Sequence, residues 1–595
     1  MLYALLLFYL GGQGPGHAQA TQLELRLPQG RLAGKLESLG TGQSVRAFLG
    51  VPFAHSTAAS SRFKPPRPLR RFPHDPQPAT KLAASCFGSL DQSFDGWAGS
   101  SIWNPTNPMS EDCLQLNLWT PVDATPQSQL PVLVWIFGGG FMSGSPSLSL
   151  YDGGLLAARE GVVVVNVNYR LGPFGFLFLG THSSAPGNLG LLDQQLALKW
   201  IRQNIAAFGG DPEQVCLLGE SAGGASVTAH LVARSSWGLF SAAIVASGSL
   251  ANRWAFTSQR VALNRSRQLM AAANCEKEAL EDSLACLQSI PADVLQERLA
   301  FHHSIPTRTM EFPFVPVDND GAFFDKPILS SLRAGRIKDC PVIIGTVPDE
   351  GTFWLPYSLN QSIFSFSPHD PDPEPSLMTL AQFRQAINVT FQGYYGETLQ
   401  HAILGRYAWE EAREGASPTY YRDAIGQIYD NFFFTCDVLR FAAALSNISH
   451  RLSPTFRYLF HQRSPTNPWP KWMGVMHGYE IEYFFGAPFR EKELYGDLDR
   501  RLSAQTMAAW VNFARFGDPK VEGWKPYTTS SPDVFALRGE GFVVQQGNPA
   551  CRFWNDLRAC EPLTSTSNGL GSSGTSQSLI PQPKNVSQNS VITQL

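Results

Sequence analysis

The stretch QVCLLGESAGGASVTAHLVA, residues 214–233, decides the fold. Its first part, Gln214–Leu218, is an apolar run of strand length, and its last part, Ala222–Ala233, is compatible with a helix. Between them lies Gly219-Glu220-Ser221-Ala222-Gly223, a G-x-S-x-G pattern. Glycines on either side let a strand turn sharply into a helix and hold the serine hydroxyl up at the strand end. The bare pattern occurs by chance; the strand before it and the helix after it give it meaning. Ser221 is therefore the expected nucleophile of an acyl-transfer reaction.

Working outward, Val132–Phe137, Val162–Val167, Ala242–Ala246 and Val342–Gly345 are further apolar runs, each followed by glycine or a helical pattern. Strands buried on both sides read this way, which predicts the α/β class: an α/β-hydrolase fold with a large, mostly parallel sheet between helical layers. Leu189–Phe208 carries apolar residues at helical spacing and stops before Gly209-Gly210. Gly138-Gly139-Gly140 directly follows Val132–Phe137. The N–H groups of Gly139 and Gly140, with that of Ala222 just past the serine, form the expected oxyanion hole.

In this fold the triad runs serine, acid, histidine along the chain. Of the twelve histidines, those before Ser221 are excluded; His230 lies on the elbow's own helix, and His302 and His303 leave little room for an intervening acid. His369, His401, His450, His461 and His477 remain open on this argument, and the acid remains undetermined.

Residues 1–20 read as a signal peptide, with an apolar run Leu2–Leu10 and an A-x-A site at Ala18-Gln19-Ala20. Sequons at Asn264, Asn360, Asn388, Asn447 and Asn585 suit glycosylation of a secreted, extracellular protein. No later apolar run approaches the ~20 residues of a membrane span. Residues 21–562 are read as one catalytic domain and 563–595, rich in Ser, Thr, Gln, Asn, Gly and Pro, as a disordered tail. A surface loop is expected over Pro368–Pro375, and Cys216 reads as a buried free thiol. The net charge of -3 gives no footprint for nucleic acid. Asp318-Asn319-Asp320-Gly321 lacks the remaining ligands of a calcium loop and reads as a turn; no zinc-like spacing occurs, and a triad needs no cofactor.

The run Glu220-Ser221-Ala222-Gly223-Gly224-Ala225-Ser226 resembles the nucleophile segment of the cholinesterases. Asp349-Glu350-Gly351 and the run from Trp472 to Glu480 are similar to further segments of that family, and the likeness extends from about residue 25 to about Leu557. The resemblance implies a triad of Ser221, Glu350 and His477, and disulfides Cys86–Cys113, Cys275–Cys286 and Cys436–Cys551. Cys216, Cys340 and Cys560 are then left over, and Cys560 could form an interchain bridge or stay free. It implies a choline site at Trp103, helped by Glu220, Tyr151, Phe353 and Tyr479. Met310 and Phe312 stand where acetyl-selective members carry two phenylalanines, with Trp254 and Trp354 completing the acyl pocket. A flexible methionine there implies a wider pocket and a broad acyl range, nearer to the butyrylcholinesterases. Asp91 and Tyr357 match peripheral-site residues, but Ser89, Met142 and Ala300 replace aromatics, so that site is expected to be weak. The implied substrates are choline or other carboxylic esters. A general carboxylesterase and a non-catalytic, neuroligin-like adhesion protein are the alternatives. No tryptophan-bearing tetramerisation helix or lipid signal follows Leu563, so monomers or dimers are expected.

Overall fold

Runs such as Ala242–Ala246, and Val163–Val167 with the one polar residue Asn166, are too apolar on both faces to lie against water and are stable inside a sheet covered on both sides. In the computed structural model, which describes residues 23–299, 305, 307–368, 376–408, 417–448, 450–539, 543–545 and 548–559, they occupy the middle of a 13-stranded sheet. Strands Val163–Val167, Leu130–Ile136, Gly210–Glu220, Ala242–Ala246, Val342–Thr346, Thr455–Phe460 and Val534–Leu537 lie side by side in that order, all parallel. Antiparallel strands extend both edges. Gln115–Pro121, Ser44–Pro52, Gly30–Ser38 and Leu23–Leu27 lie on one side, and Val543–Gln545 lies on the other.

The five strands read from sequence are all present, the elbow strand being longer than its apolar run because it continues through Gly210–Gln214. Helices Leu189–Asn204 and Ala222–Val232 pack on one face, and Gly154–Glu160 and Asp497–Phe516 on the other. The segment Leu189–Phe208 is α-helical to Asn204 and tightens to a 3₁₀ turn over Ile205–Phe208. It stops at Gly209, whose φ of +91° suits glycine.

Open α/β sheets carry their sites where loops leave the carboxyl ends of the strands. Here Gly138-Gly139-Gly140 follows Leu130–Ile136, Ser221 follows Gly210–Glu220, and Glu350 follows Val342–Thr346, all at that edge. The loop after Thr455–Phe460 reaches the same place: Asp349 and Met476 pair as an isolated parallel bridge, setting the acid-bearing and histidine-bearing loops side by side.

Cys86–Cys113, Cys275–Cys286 and Cys436–Cys551 are bonded, and Cys216 and Cys340 are buried free thiols. The third bond ties helix Ala550–Ala559 to helix Cys436–Ser446. The Asp318–Gly321 run is a turn whose carboxylates accept backbone N–H groups, Asp318 from Ile328 and Asp320 from Phe323 and Phe324. Asn264, Asn360, Asn388 and Asn447 are exposed. Among the described residues no helix is long and apolar enough to cross a membrane. The readings of residues 1–20, Asn585, Ala300, Cys560 and the tail 563–595, and of most of the Pro368–Pro375 loop, fall outside the described residues.

Candidate active site

Ser221 sits between the last residue of strand Gly210–Glu220 and the first of helix Ala222–Val232, with φ +57° and ψ -122°. Residues with a side chain rarely adopt such a backbone, and it persists only where the surroundings impose it. The Ser221 N–H donates to the Ala246 carbonyl at 2.9 Å, and the Ser221 carbonyl accepts from Ala225 N–H at 2.9 Å. A Cβ on Gly223 would lie 1.9 Å from the Ile136 carbonyl oxygen, so only glycine lets the helix begin this close to the neighbouring strand.

His477 Nε2 lies 2.8 Å from Ser221 Oγ, and His477 Nδ1 lies 2.5 Å from Glu350 Oε2. The three side chains are buried. The other candidates His401, His450 and His461 are exposed, and His369 falls outside the described residues. The other oxygen of Glu350 accepts the Val347 N–H at 3.1 Å, which fixes the carboxylate against the imidazole. Burial pulls His477 below the ordinary imidazole range, to about 4, while the Glu480 carboxyl pulls it upward. An imidazole held this low is neutral near pH 7, the state a general base requires. Burial pushes the Glu350 carboxyl upward, opposed by hydrogen bonds from Ser247 and Val347.

Gly139 and Gly140 have φ of +104° and +61°, conformations that suit glycine and that turn the loop across the serine. A Cβ on Gly138 would come 2.9 Å from the Ser221 Cβ, which shows how closely the loop abuts the nucleophile. Ala222 opens its helix, where N–H groups lack intrahelical acceptors. Among the described residues no backbone carbonyl accepts the N–H of Gly139, Gly140 or Ala222. These donors can receive an oxyanion without breaking existing bonds.

Ser221 and His477 open into a cavity of about 740 Å³. Trp103, Tyr151, Glu220, Phe353, Met310, Phe312 and Trp354 line it. Asp91 and Tyr357 belong to the wall as well, and the Tyr357 hydroxyl donates to Asp91 Oδ2 at 2.8 Å. Ser89 and Met142 also line it. Glu220 is buried with Oε1 3.2 Å from His477 Nε2, and burial with the nearby Glu480 and Glu350 carboxyls raises its pKa well above the carboxylate range.

Two residues expected on the wall stand one layer behind it. Tyr479 meets Trp103 edge-on at 6.0 Å, and its hydroxyl is bound by the Trp469 indole N–H at 2.8 Å. It therefore backs Trp103 rather than facing the cavity. Trp254 donates its indole N–H to the Phe433 carbonyl at 2.8 Å and packs behind Phe434, 5.8 Å between rings.

A family model described as the carboxylesterase family matches residues 21–554. The chain belongs to the carboxylesterase family. Among the curated proteins, this chain is 39% identical over 547 residues to "Acetylcholinesterase 4" of Caenorhabditis briggsae, covering 87% of each chain. It is 38% identical over 523 residues to "Cholinesterase" of Mus musculus, covering 86% of this chain and 83% of that one.

Sequence reasoning missed two residues around Ser221, His477 and Glu350. Phe434 lies on a π-helical turn, Asp430–Thr435, with its ring 4.6 Å from that of His477 and stacked at 6.1 Å on Trp354. Glu480 is fully buried behind the site, accepts from Ser247 Oγ at 3.3 Å, and is raised by burial and by Glu350 to about 7. A run of three aromatics such as Phe432–Phe434 suits a buried segment, and nothing in it points to the histidine.

Proposed function

We propose that the protein is a secreted cholinesterase that cleaves choline esters of broad acyl range through a covalent acyl-enzyme. Ser221 Oγ attacks the acyl carbon while His477 Nε2 takes its proton, and Glu350 offsets the imidazolium charge that develops. The oxyanion is received by the N–H groups of Gly139, Gly140 and Ala222. Collapse breaks the bond to the choline oxygen, which takes the proton from Nε2, and water repeats the sequence to release the acid.

The observation that carries this reading is the Trp103 ring in the same cavity as Ser221 and His477. A quaternary ammonium cannot be hydrogen-bonded and is best held over an aromatic face, with the carboxyl of Glu220 adding attraction when ionised. The names of the two relatives agree with a choline ester as substrate. Met310, which replaces a rigid ring by a flexible chain at the cavity wall, supports acceptance of propionyl and butyryl groups. Bonded cysteines and exposed sequons support a secreted product.

Turnover of acetyl-, propionyl- and butyrylthiocholine against uncharged thioesters of the same acids tests it. Trp103→Ala should lower kcat/KM for the choline esters about 30-fold, the worth of a desolvated cation–π contact of ~2 kcal/mol, and leave the uncharged esters nearly unchanged. Equal loss on both series would leave a general carboxylesterase without choline preference. Absence of any turnover would favour the adhesion-type reading.

A further inference from the structure

The loop bearing Met310 and Phe312 is gripped by ionic and polar contacts that the catalytic chemistry does not use. Glu311, between those two residues, turns its carboxylate onto two arginines. Arg265, buried on helix Gln259–Ala272, donates to Glu311 Oε2 at 2.9 Å and to the Phe312 carbonyl at 2.9 Å. Arg308, partly exposed, donates through Nε to Glu311 Oε1 at 2.8 Å and through Nη1 to the Gly393 carbonyl at 3.0 Å. Its guanidinium lies 4.3 Å over the Tyr394 ring, and the Tyr394 hydroxyl donates to the Thr309 carbonyl at 2.8 Å.

Met310 itself has φ +60°, left-handed backbone that a flexible, unbranched residue does not choose unaided. Such a conformation persists only when contacts on both sides impose it. Here the contacts on both sides converge on Glu311. Burial would push its carboxyl up, but the Arg308 hydrogen bond and the charges of Arg308 and Arg265 outweigh this and hold it below the ordinary range.

We propose that Glu311, clamped between Arg265 and Arg308, is a positioning residue that fixes the backbone of residues 308–313 and thereby sets which acyl chains the cavity admits. Identity of the two side chains is then only part of acyl selectivity; the other part is how tightly their shared backbone is held. This rests on the reading that Met310 and Phe312 bound the acyl pocket.

The experiment compares Glu311→Gln, Glu311→Asp, Arg308→Gln and Met310→Phe by the ratio of kcat/KM for butyryl- to acetylthiocholine. That ratio does not depend on how much of a preparation is folded. Glu311→Gln should raise the ratio about fivefold, the size of an ordinary coupling between contacting residues, with Arg308→Gln moving it the same way by less. Glu311→Asp, which keeps the charge, should restore it part-way, a rescue that general loosening of the fold would not give. If Met310→Phe lowers the ratio while both Glu311→Gln and Arg308→Gln leave it unchanged, the clamp is refuted and the pocket reading stands. If Met310→Phe leaves the ratio unchanged, the pocket reading fails and the clamp falls with it. Should Glu311→Gln fail to fold, Arg308→Gln decides alone, because it removes only the exposed partner.

Discussion

Replacing Glu350 by glutamine keeps the size of the side chain and changes which atoms can donate. One oxygen of Glu350 accepts the Val347 N–H at 3.1 Å and the other faces His477 Nδ1 at 2.5 Å. A glutamine amide set to accept from Val347 turns its NH₂ onto Nδ1. That forces the tautomer with a proton on Nε2, and Nε2 then cannot take the Ser221 proton. The flipped amide restores the working tautomer only by setting NH₂ against the Val347 N–H. This leaves buried donors unsatisfied at ~1–3 kcal/mol, a working fraction of about a fifth to less than about a hundredth. Loss of the charge beside the imidazolium costs a further ~2–4 kcal/mol. The sum, ~3–7 kcal/mol, predicts that kcat falls about 10⁴-fold, with residual catalysis from the oxyanion donors. Thiocholine hydrolysis per mole of folded protein is the assay, with a thermal melt confirming that the variant is folded. A folded Glu350→Gln enzyme losing less than about tenfold would show that this carboxylate does not orient the base.

Ser221→Ala should abolish turnover and covalent labelling by an organophosphate, and labelling that persisted would place the nucleophile elsewhere. Gly223→Ala would put a methyl 1.9 Å from the Ile136 carbonyl; the expected outcome is little folded protein, and a stable, active variant would contradict the packing at the elbow. His230 is buried between Ser236 and Gln194, and burial lowers its pKa to about 3. The unfolded chain therefore takes up a proton near pH 6.5 that the native state refuses, so stability falls as pH drops below that value. Between about pH 6.5 and about pH 5 the loss from this group should be ~2 kcal/mol. Urea unfolding of His230→Gln should lack that increment; identical losses in both proteins would mean that His230 is protonated in the native state.

The central parallel strands were legible because a strand buried on both faces is largely apolar, as Ala242–Ala246 is throughout and Val163–Val167 is apart from Asn166, whose amide donates to the Pro146 and Tyr151 carbonyls. The edge strands were not. Leu23–Leu27 and Ser44–Pro52 have one wetter face and mixed composition, and their place follows from pairing with distant segments. Helix ends were legible where glycine stops them, as at Gly209.

At the site, residues 214–233 by themselves determined the elbow and pointed to Ser221 as the proposed nucleophile, because the signal there is local: a strand, two glycines and a helix adjoining in sequence. Which histidine serves as base was not local. His369, His401, His450, His461 and His477 were equivalent on chain order alone; the resemblance implied His477, and the pairing of Asp349 with Met476 is what brings that residue beside Glu350. Likewise, the resemblance implied Tyr479 and Trp254 at the site with the other aromatics, and only packing set them behind the wall, where the Tyr479 hydroxyl accepts from Trp469 and the Trp254 indole donates to the Phe433 carbonyl. The grip of Arg265 and Arg308 on Glu311 belongs to the same class. The pair of Arg265 with Glu311 spans 46 positions and carries no sequence pattern, so the tertiary structure alone decided that Arg265 joins the local Arg308 pair on the loop holding Met310.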